Sequence, residues 1–213
     1  MSKGDSKREG LSRRAVLAGL PALAGLPLLG GCMTTGNYGY VTDGGYSIPP
    51  IDMISVDPSL LRQEVAWRGP QKPGTIVVNI AQRRLYLVQP GGTAIRYGVG
   101  IGRAEVANFR GSAIIGAKAE WPRWTPTEHM LAAIPRYRPY ASGLPGGLEN
   151  PLGARALYLY RDGHDTNFRL HGTNEPESIG HAVSSGCIRM FNQDIIDLYN
   201  RVKVGTPVTV LQS

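Results

Sequence analysis

From Gly74 onward, short apolar runs broken by turn residues dominate the chain, and helical periodicity is rare. Thr75-Ile76-Val77-Val78-Asn79-Ile80 and Arg84-Leu85-Tyr86-Leu87-Val88 flank a short polar break, which predicts a β-hairpin. Pro90-Gly91-Gly92 is a turn signal and introduces another strand over 94–99. Further strands are predicted over 112–118, 156–160, 167–171 and 207–211. Two helices interrupt them. Thr125-Pro126-Thr127-Glu128 has a capping-box pattern with proline at the first helical position, and predicts a helix running to about residue 134. Asn192 is predicted to cap a second helix over 193–202, where Ile195, Ile196, Leu198, Tyr199 and Val202 recur at helical spacing. Asp57-Pro58 predicts a short lead-in helix over 59–67. Many short strands with few helices predict a mostly β fold (β-rich α+β), a β-sandwich or open barrel carrying a few short helices.

The pattern before residue 74 is different. A basic stretch holding Lys3, Lys7, Arg8, Arg13 and Arg14 precedes an apolar run of 17 residues, Ala15 to Gly31, interrupted by Pro21 and Pro27. The run is shorter than the ~20 residues that span a bilayer as a helix, so it reads as a secretion signal. Ser12-Arg13-Arg14-Ala15-Val16-Leu17 resembles a twin-arginine export motif, with Ala18 where a lysine is usual; export of the folded or of the unfolded chain both stay open. The run ends in Leu29-Gly30-Gly31-Cys32, which resembles a bacterial lipobox whose Cys32 thiol is acylated after cleavage. Met33 replaces the aspartate of an inner-membrane retention signal, so the expected location is periplasmic, anchored to the outer membrane. Residues 33–58, rich in Gly, Tyr, Ser and Pro, show little periodicity. The expected organisation is a signal peptide over 1–31, a flexible tether over 32–58 and a folded domain over 59–213.

Composition changes this picture in two respects. Glycine (28) and proline (16) make up about a fifth of the 213 residues, which argues for many turns and against a helical bundle. The formal charge of +7 invites an anionic partner, but removal of 1–31 takes away five basic and two acidic residues and leaves +4. The remaining basic residues are scattered, so nucleic acid is not an expected partner.

The chemistry concentrates in Arg169-Leu170-His171-Gly172-Thr173-Asn174-Glu175 and Ser184-Ser185-Gly186-Cys187-Ile188-Arg189-Met190. Once Cys32 is lipidated, Cys187 is the sole thiol. In an exported protein such a thiol is either buried as a small hydrophobe or kept for use. Gly186 allows close backbone approach, and successive N–H groups at 185–187 could face one oxyanion. His171 is a candidate base if its strand lies beside Cys187. His129, His164 and His181 have no standard metal-ligand spacing with these residues, so no metal is expected.

These residues resemble the L,D-transpeptidase (YkuD-type) catalytic domain, whose signature is His-Gly, a spacer, then Ser/Thr-His-Gly-Cys, an apolar residue and Arg or Asn. The likeness extends over about residues 60–212. It includes Gly74-Thr75-Ile76-Val77-Val78-Asn79, Tyr97-Gly98-Val99-Gly100-Ile101-Gly102-Arg103, Trp121-Pro122-Arg123-Trp124-Thr125-Pro126 and the block from Asn150 to Leu159. Ser185 stands where the familiar signature has histidine, and the 104–110 loop lacks the usual glycines.

The resemblance implies a cysteine acyltransferase that needs no cofactor. Cys187 attacks the carbonyl of the third residue of a peptidoglycan tetrapeptide stem, D-alanine leaves, and a stem amine resolves the thioester into a 3→3 cross-link. Water or a protein amine are alternative acceptors, and a non-catalytic peptidoglycan-binding lipoprotein is the alternative of another class. The resemblance further implies His171 as the base, the Gly172 carbonyl as its orienter, and the Gly186 and Cys187 amides as an oxyanion hole. Carbapenem-type drugs are implied inhibitors. Arg189 is a substrate clamp or an internal ion-pair partner; Ser184 and Ser185 contact substrate or tie the turn. Trp124, with Trp121, stacks on substrate or packs internally.

Overall fold

The computed structural model describes Met1 and residues 36–103, 109–184 and 186–212. The expected signal peptide, Cys32 and Ser185 fall outside the described residues. The described strands and helices lie between Val41 and Leu211.

Among the described residues thirteen strands run in chain order: β1 (Val41–Asp43), β2 (Tyr46–Ile48), β3 (Gln63–Ala66), β4 (Ile76–Asn79), β5 (Arg84–Gln89), β6 (Thr93–Gly98), β7 (Ile101–Gly102), β8 (Gly111–Glu120), β9 (Arg155–Arg161), β10 (His164–His171), β11 (Ala182–Ser184), β12 (Ile188–Arg189) and β13 (Pro207–Leu211). The α-helices among the described residues are α1 (Glu128–Ala133) and α2 (Asn192–Arg201). The fold is mostly β, as the pattern predicts. Nine strands form one mixed sheet in the order β12-β10-β9-β8-β13-β4-β5-β6-β3. β1–β2 and β7–β11 are separate two-stranded ribbons.

The large sheet curls round its own core. Ile188 on β12 and Tyr97 on β6 lie near opposite ends of the strand order yet share one buried cluster with Leu85, Leu157, Leu170 and Ile195. Just past β6, Gly100 exchanges both backbone hydrogen bonds with Arg189, at 2.9 Å each, so the sheet partly closes there. Gly100 is required at this closure, because a Cβ would lie 2.7 Å from the Ser178 carbonyl oxygen. Helix α2 supplies Ile195 and Leu198, both fully buried; each such side chain contributes about 1.5–3 kcal/mol by leaving water. Lys118 of β8 donates to the carbonyls of Tyr199 (2.7 Å) and Val202 (2.6 Å), satisfying orphan acceptors at the negative end of α2.

Several expectations need correction. The lead-in helix over 59–67 is a single 3-10 turn, Pro58–Leu60, followed by β3, because pairing with β6 outweighs local preference. The α1 cap is Thr127, not Thr125: its hydroxyl accepts from the Met130 amide at 3.2 Å. Helix α2 has Phe191 at its cap position with no side-chain bond, and Asn192 is used elsewhere.

The largest correction concerns the tether. Over its described part it is folded onto the domain. Tyr38 (4% exposed) and Ile48 (2%) are buried. The Tyr38 hydroxyl donates to the Asp194 carboxylate at 2.9 Å and accepts from the Arg62 amide at 2.6 Å. Gln193 donates to the Pro49 carbonyl at 3.0 Å. The anchors are polar groups scattered without period, which is why the segment reads as a linker.

Candidate active site

β10 and β12 run parallel, with Leu170 opposite Ile188 and His171 opposite Arg189. Leu170 and Ile188 point into the core. Alternation therefore puts His171 and Arg189 on the other face, and one step back along the register puts Cys187 beside Arg169 there. Cys187 comes directly before β12 and His171 closes β10, so the register sets them two positions out of step on neighbouring strands.

His171 is buried, at 5% exposure. Its Nδ1 lies 2.6 Å from the Gly172 carbonyl oxygen. A carbonyl only accepts, so Nδ1 carries the proton and Nε2 keeps its lone pair. The Gly172 backbone is fixed from both sides. Its amide donates to the Arg155 carbonyl at 3.0 Å. Behind it, the Asn192 side chain accepts from the Ala154 amide (2.9 Å) and donates to the Thr173 carbonyl (2.8 Å). A Cβ on Gly172 would collide with Asn192 Oδ1, so glycine is the residue that fits.

The resting pair is uncharged. Burial, then the nearby Arg189 and Arg169 charges, push His171 down to about 4. Burial pushes the Cys187 thiol up; the Arg169 amide and the Arg169 and Arg189 charges pull it back only in part. The Cys187 Sγ lies 3.8 Å from the Asn167 carbonyl oxygen, as a thiol donating to it. Asn167 has a left-handed φ of 62° and sits where the β9–β10 register shifts, a bulge that turns this carbonyl out of the ladder.

The remaining expected site residues divide. Ser184 is buried and braces the loop: its hydroxyl donates to the Cys187 carbonyl at 2.6 Å and accepts from the Gly186 amide at 3.2 Å. The Gly186 N–H, expected in an oxyanion hole, is thereby engaged, while Gly186 itself takes a left-handed φ of 119°. Arg189 forms an internal ion pair with Glu175 (2.7 Å), which also faces Arg136 (3.7 Å). Trp124 is buried at 8% exposure and packs edge-on against Tyr137, so its ring meets the protein's own aromatics. Glu175, Asn167 and Asn192 were not singled out by spacing. Glu175 closes the histidine segment, and Asn192 was assigned only a helix cap.

A cleft of about 590 Å³ adjoins Ser184 and Arg189. Its other wall comes from α1 and the turn after it, through His129, Met130, Arg136 and Tyr137. Paired cations and carboxylates (Arg136, Arg189, Glu175, Glu177) make it suited to a peptide bearing both charges.

Comparison with known proteins shows the family. A family model described as YkuD, L,D-transpeptidase catalytic domain, matches residues 73–210. The chain is 37% identical over 145 residues to the probable L,D-transpeptidase YcfS of Escherichia coli K12, covering 65% of this chain and 44% of that protein. It is 50% identical over 66 residues to the putative L,D-transpeptidase YkuD of Bacillus subtilis, covering 31% and 36%. It thus spans less than half the length of either relative. A crystal structure from Brucella melitensis, described as a probable carnitine operon oxidoreductase, superposes with a TM-score of 0.50 at 47% identity, covering 75% of this chain and 99% of that one.

Proposed function

This chain belongs to the L,D-transpeptidase catalytic domain family, and from that premise we propose that Cys187 transfers the acyl group of a peptidoglycan tetrapeptide stem to a stem amine, forming a 3→3 cross-link. What supports the reading is that the thiol directly precedes the strand paired with that of His171, whose Nδ1 proton is held by Gly172, leaving Nε2 as acceptor.

With His171 neutral at working pH, it acts as a general base rather than as half of a standing ion pair. As sulfur attacks the third-residue carbonyl, its proton passes to Nε2. The C–S bond forms, the amide C–N bond to D-alanine breaks, and the departing amine takes the proton back. The acceptor amine then attacks the thioester, its C–N bond forms, and sulfur leaves as the thiol. Of the two expected oxyanion donors, the Cys187 amide is the one not engaged by Ser184. Carbapenem-type drugs would acylate the same sulfur. The alternative acceptors, water or a protein amine, share the first half of this path.

The test is incubation of the purified chain with tetrapeptide-containing muropeptides and analysis of products by mass. A dimer lacking one D-alanine is expected. Tripeptide alone would identify water as acceptor, and identical behaviour of wild type and Cys187→Ala would overturn the cysteine mechanism. We also propose export with lipid attachment at Cys32. Incorporation of labelled palmitate that persists in Cys32→Ala would refute it.

A further inference from the structure

Between β8 and β9 the chain makes an excursion over 121–149 that carries α1 and the cleft wall opposite Arg189. The two ends of this excursion meet. Trp124 and Leu144 exchange backbone bonds at 2.9 and 2.7 Å, and Asn150 donates to the Pro122 (3.0 Å) and Pro145 (2.9 Å) carbonyls. Trp121, the residue at which the chain leaves the sheet, has a left-handed φ of 41°. An aromatic residue adopts that conformation only where its surroundings over-determine it.

The surroundings are the β1–β2 hairpin. The Asp43 carboxylate accepts from Trp121 Nε1 at 2.8 Å. The Tyr46 ring stacks on the indole at a centroid distance of 4.2 Å, and its hydroxyl donates to the Gly146 carbonyl at 2.9 Å. Gly44, at φ 58°, lies so close to the indole that a Cβ would meet Nε1 and Cδ1. One hairpin therefore grips both the exit and the return of the excursion.

The same hairpin is referenced to the catalytic strands. Asp43 is paired on both oxygens with the buried guanidinium of Arg155, at 2.7 Å each. The backbone carbonyl of Arg155 accepts from the Gly172 amide, next to His171. Arg155 thus holds the hairpin through its side chain and the base's neighbour through its main chain. The hairpin lies outside the matched residues 73–210, so the family match assigns it nothing.

We propose that Asp43, Gly44 and Tyr46 are positioning residues for substrate binding, fixing the α1 wall of the cleft by gripping Trp121 and Gly146. The inference rests on the reading of that cleft as the stem-binding side of the acyl-transfer site.

Tyr46→Phe keeps the ring stack and removes one hydrogen bond; Gly44→Ala places a methyl against the indole. For Tyr46→Phe, KM for a tetrapeptide stem should rise about three- to tenfold with kcat within about twofold. Gly44→Ala should shift KM further the same way. Alkylation of Cys187 by iodoacetamide should be unchanged in both, and faster amide hydrogen exchange should be confined to 121–149. Unchanged KM in both variants would overturn the proposal. So would kcat, KM and alkylation all degrading in step with a lower melting midpoint, which is the mark of a merely structural role. If the wild type does not turn over stems, the functional reading fails by itself. The grip is then judged by exchange alone, and exchange over 121–149 identical to wild type overturns it.

Discussion

The His171 Nδ1 and the Gly172 carbonyl oxygen, on consecutive residues, lie 2.6 Å apart. This contact fixes the tautomer, while burial and the Arg189 charge keep the ring neutral down to about pH 4. The acid limb of kcat/KM should therefore fall near pH 4 rather than near 6.5. A pH–rate profile with its inflection at 6.5 would mean that the free chain carries an imidazolium.

The same burial makes His171 a pH-dependent load on stability. Its folded pKa lies below its unfolded value, so the unfolded chain takes up the proton first. Stability is fully present above about pH 6.5 and is lost as pH falls toward 4, by roughly 3 kcal/mol for a shift of this size. Asp194 acts with the opposite sign. Burial raises it to about 7, so it favours the fold at low pH and loses that contribution as pH rises from about 4 to 7. Urea midpoints should therefore show a steeper loss on acidification in Asp194→Asn than in wild type, and a shallower one in His171→Gln. Parallel curves for all three would refute the assignment.

Gly172 and Asn192 should be coupled. Gly172→Ala drives a methyl into Asn192 Oδ1 and is expected to cost about 1–3 kcal/mol and much of the activity. Asn192→Ala alone leaves the Ala154 amide and Thr173 carbonyl without their partners and is also destabilising. The double variant should be more stable than the sum of the two predicts, because the second change removes the clash. Strict additivity in thermal or urea unfolding would show that the collision is relieved some other way.

Cys187 should behave as a protonated thiol. Its alkylation rate should climb steadily through pH 8 without a plateau, since burial raises the thiol above its usual range. His171→Ala should leave that profile nearly in place, because a neutral imidazole adds no charge beside the thiol. A plateau below pH 7 that vanishes in the variant would reveal a preformed thiolate–imidazolium pair.

How much of the fold and the site was legible depended on what holds each element. β4, β5, β6, β8, β9, β10 and β13 are runs whose own apolar residues fill the core, and all were predicted. β7, β11 and β12 are two or three residues long and exist because of their partners; no local pattern marks them. The β1–β2 hairpin is held by Asp43 and Tyr46 and the stretch before it by Tyr38, polar or amphipathic anchors without period, so the segment reads as a tether. In the site, His171, Gly172 and Cys187 stood out as types at a spacing. Local spacing did not tell whether Arg189 and Ser184 face a ligand or the protein. In the structure both bond internally, Arg189 to Glu175 and Ser184 to the Cys187 carbonyl, and both also line the cleft. Trp124 was offered to substrate as readily as to the interior; its burial against Tyr137 decides for the interior.

The bond from Tyr38 to Asp194 spans 156 positions, and Gly100 closes on Arg189 far along the chain. Both need α2 or the strand just before it. Folding therefore waits for the C-terminal part to be synthesised, and loops this long close slowly. A ribosome that has released only the first half of the chain has released nothing that can finish folding. The segment nearest the N-terminus is then among the last to dock, and a docked Tyr38 reports that translation has reached the far end.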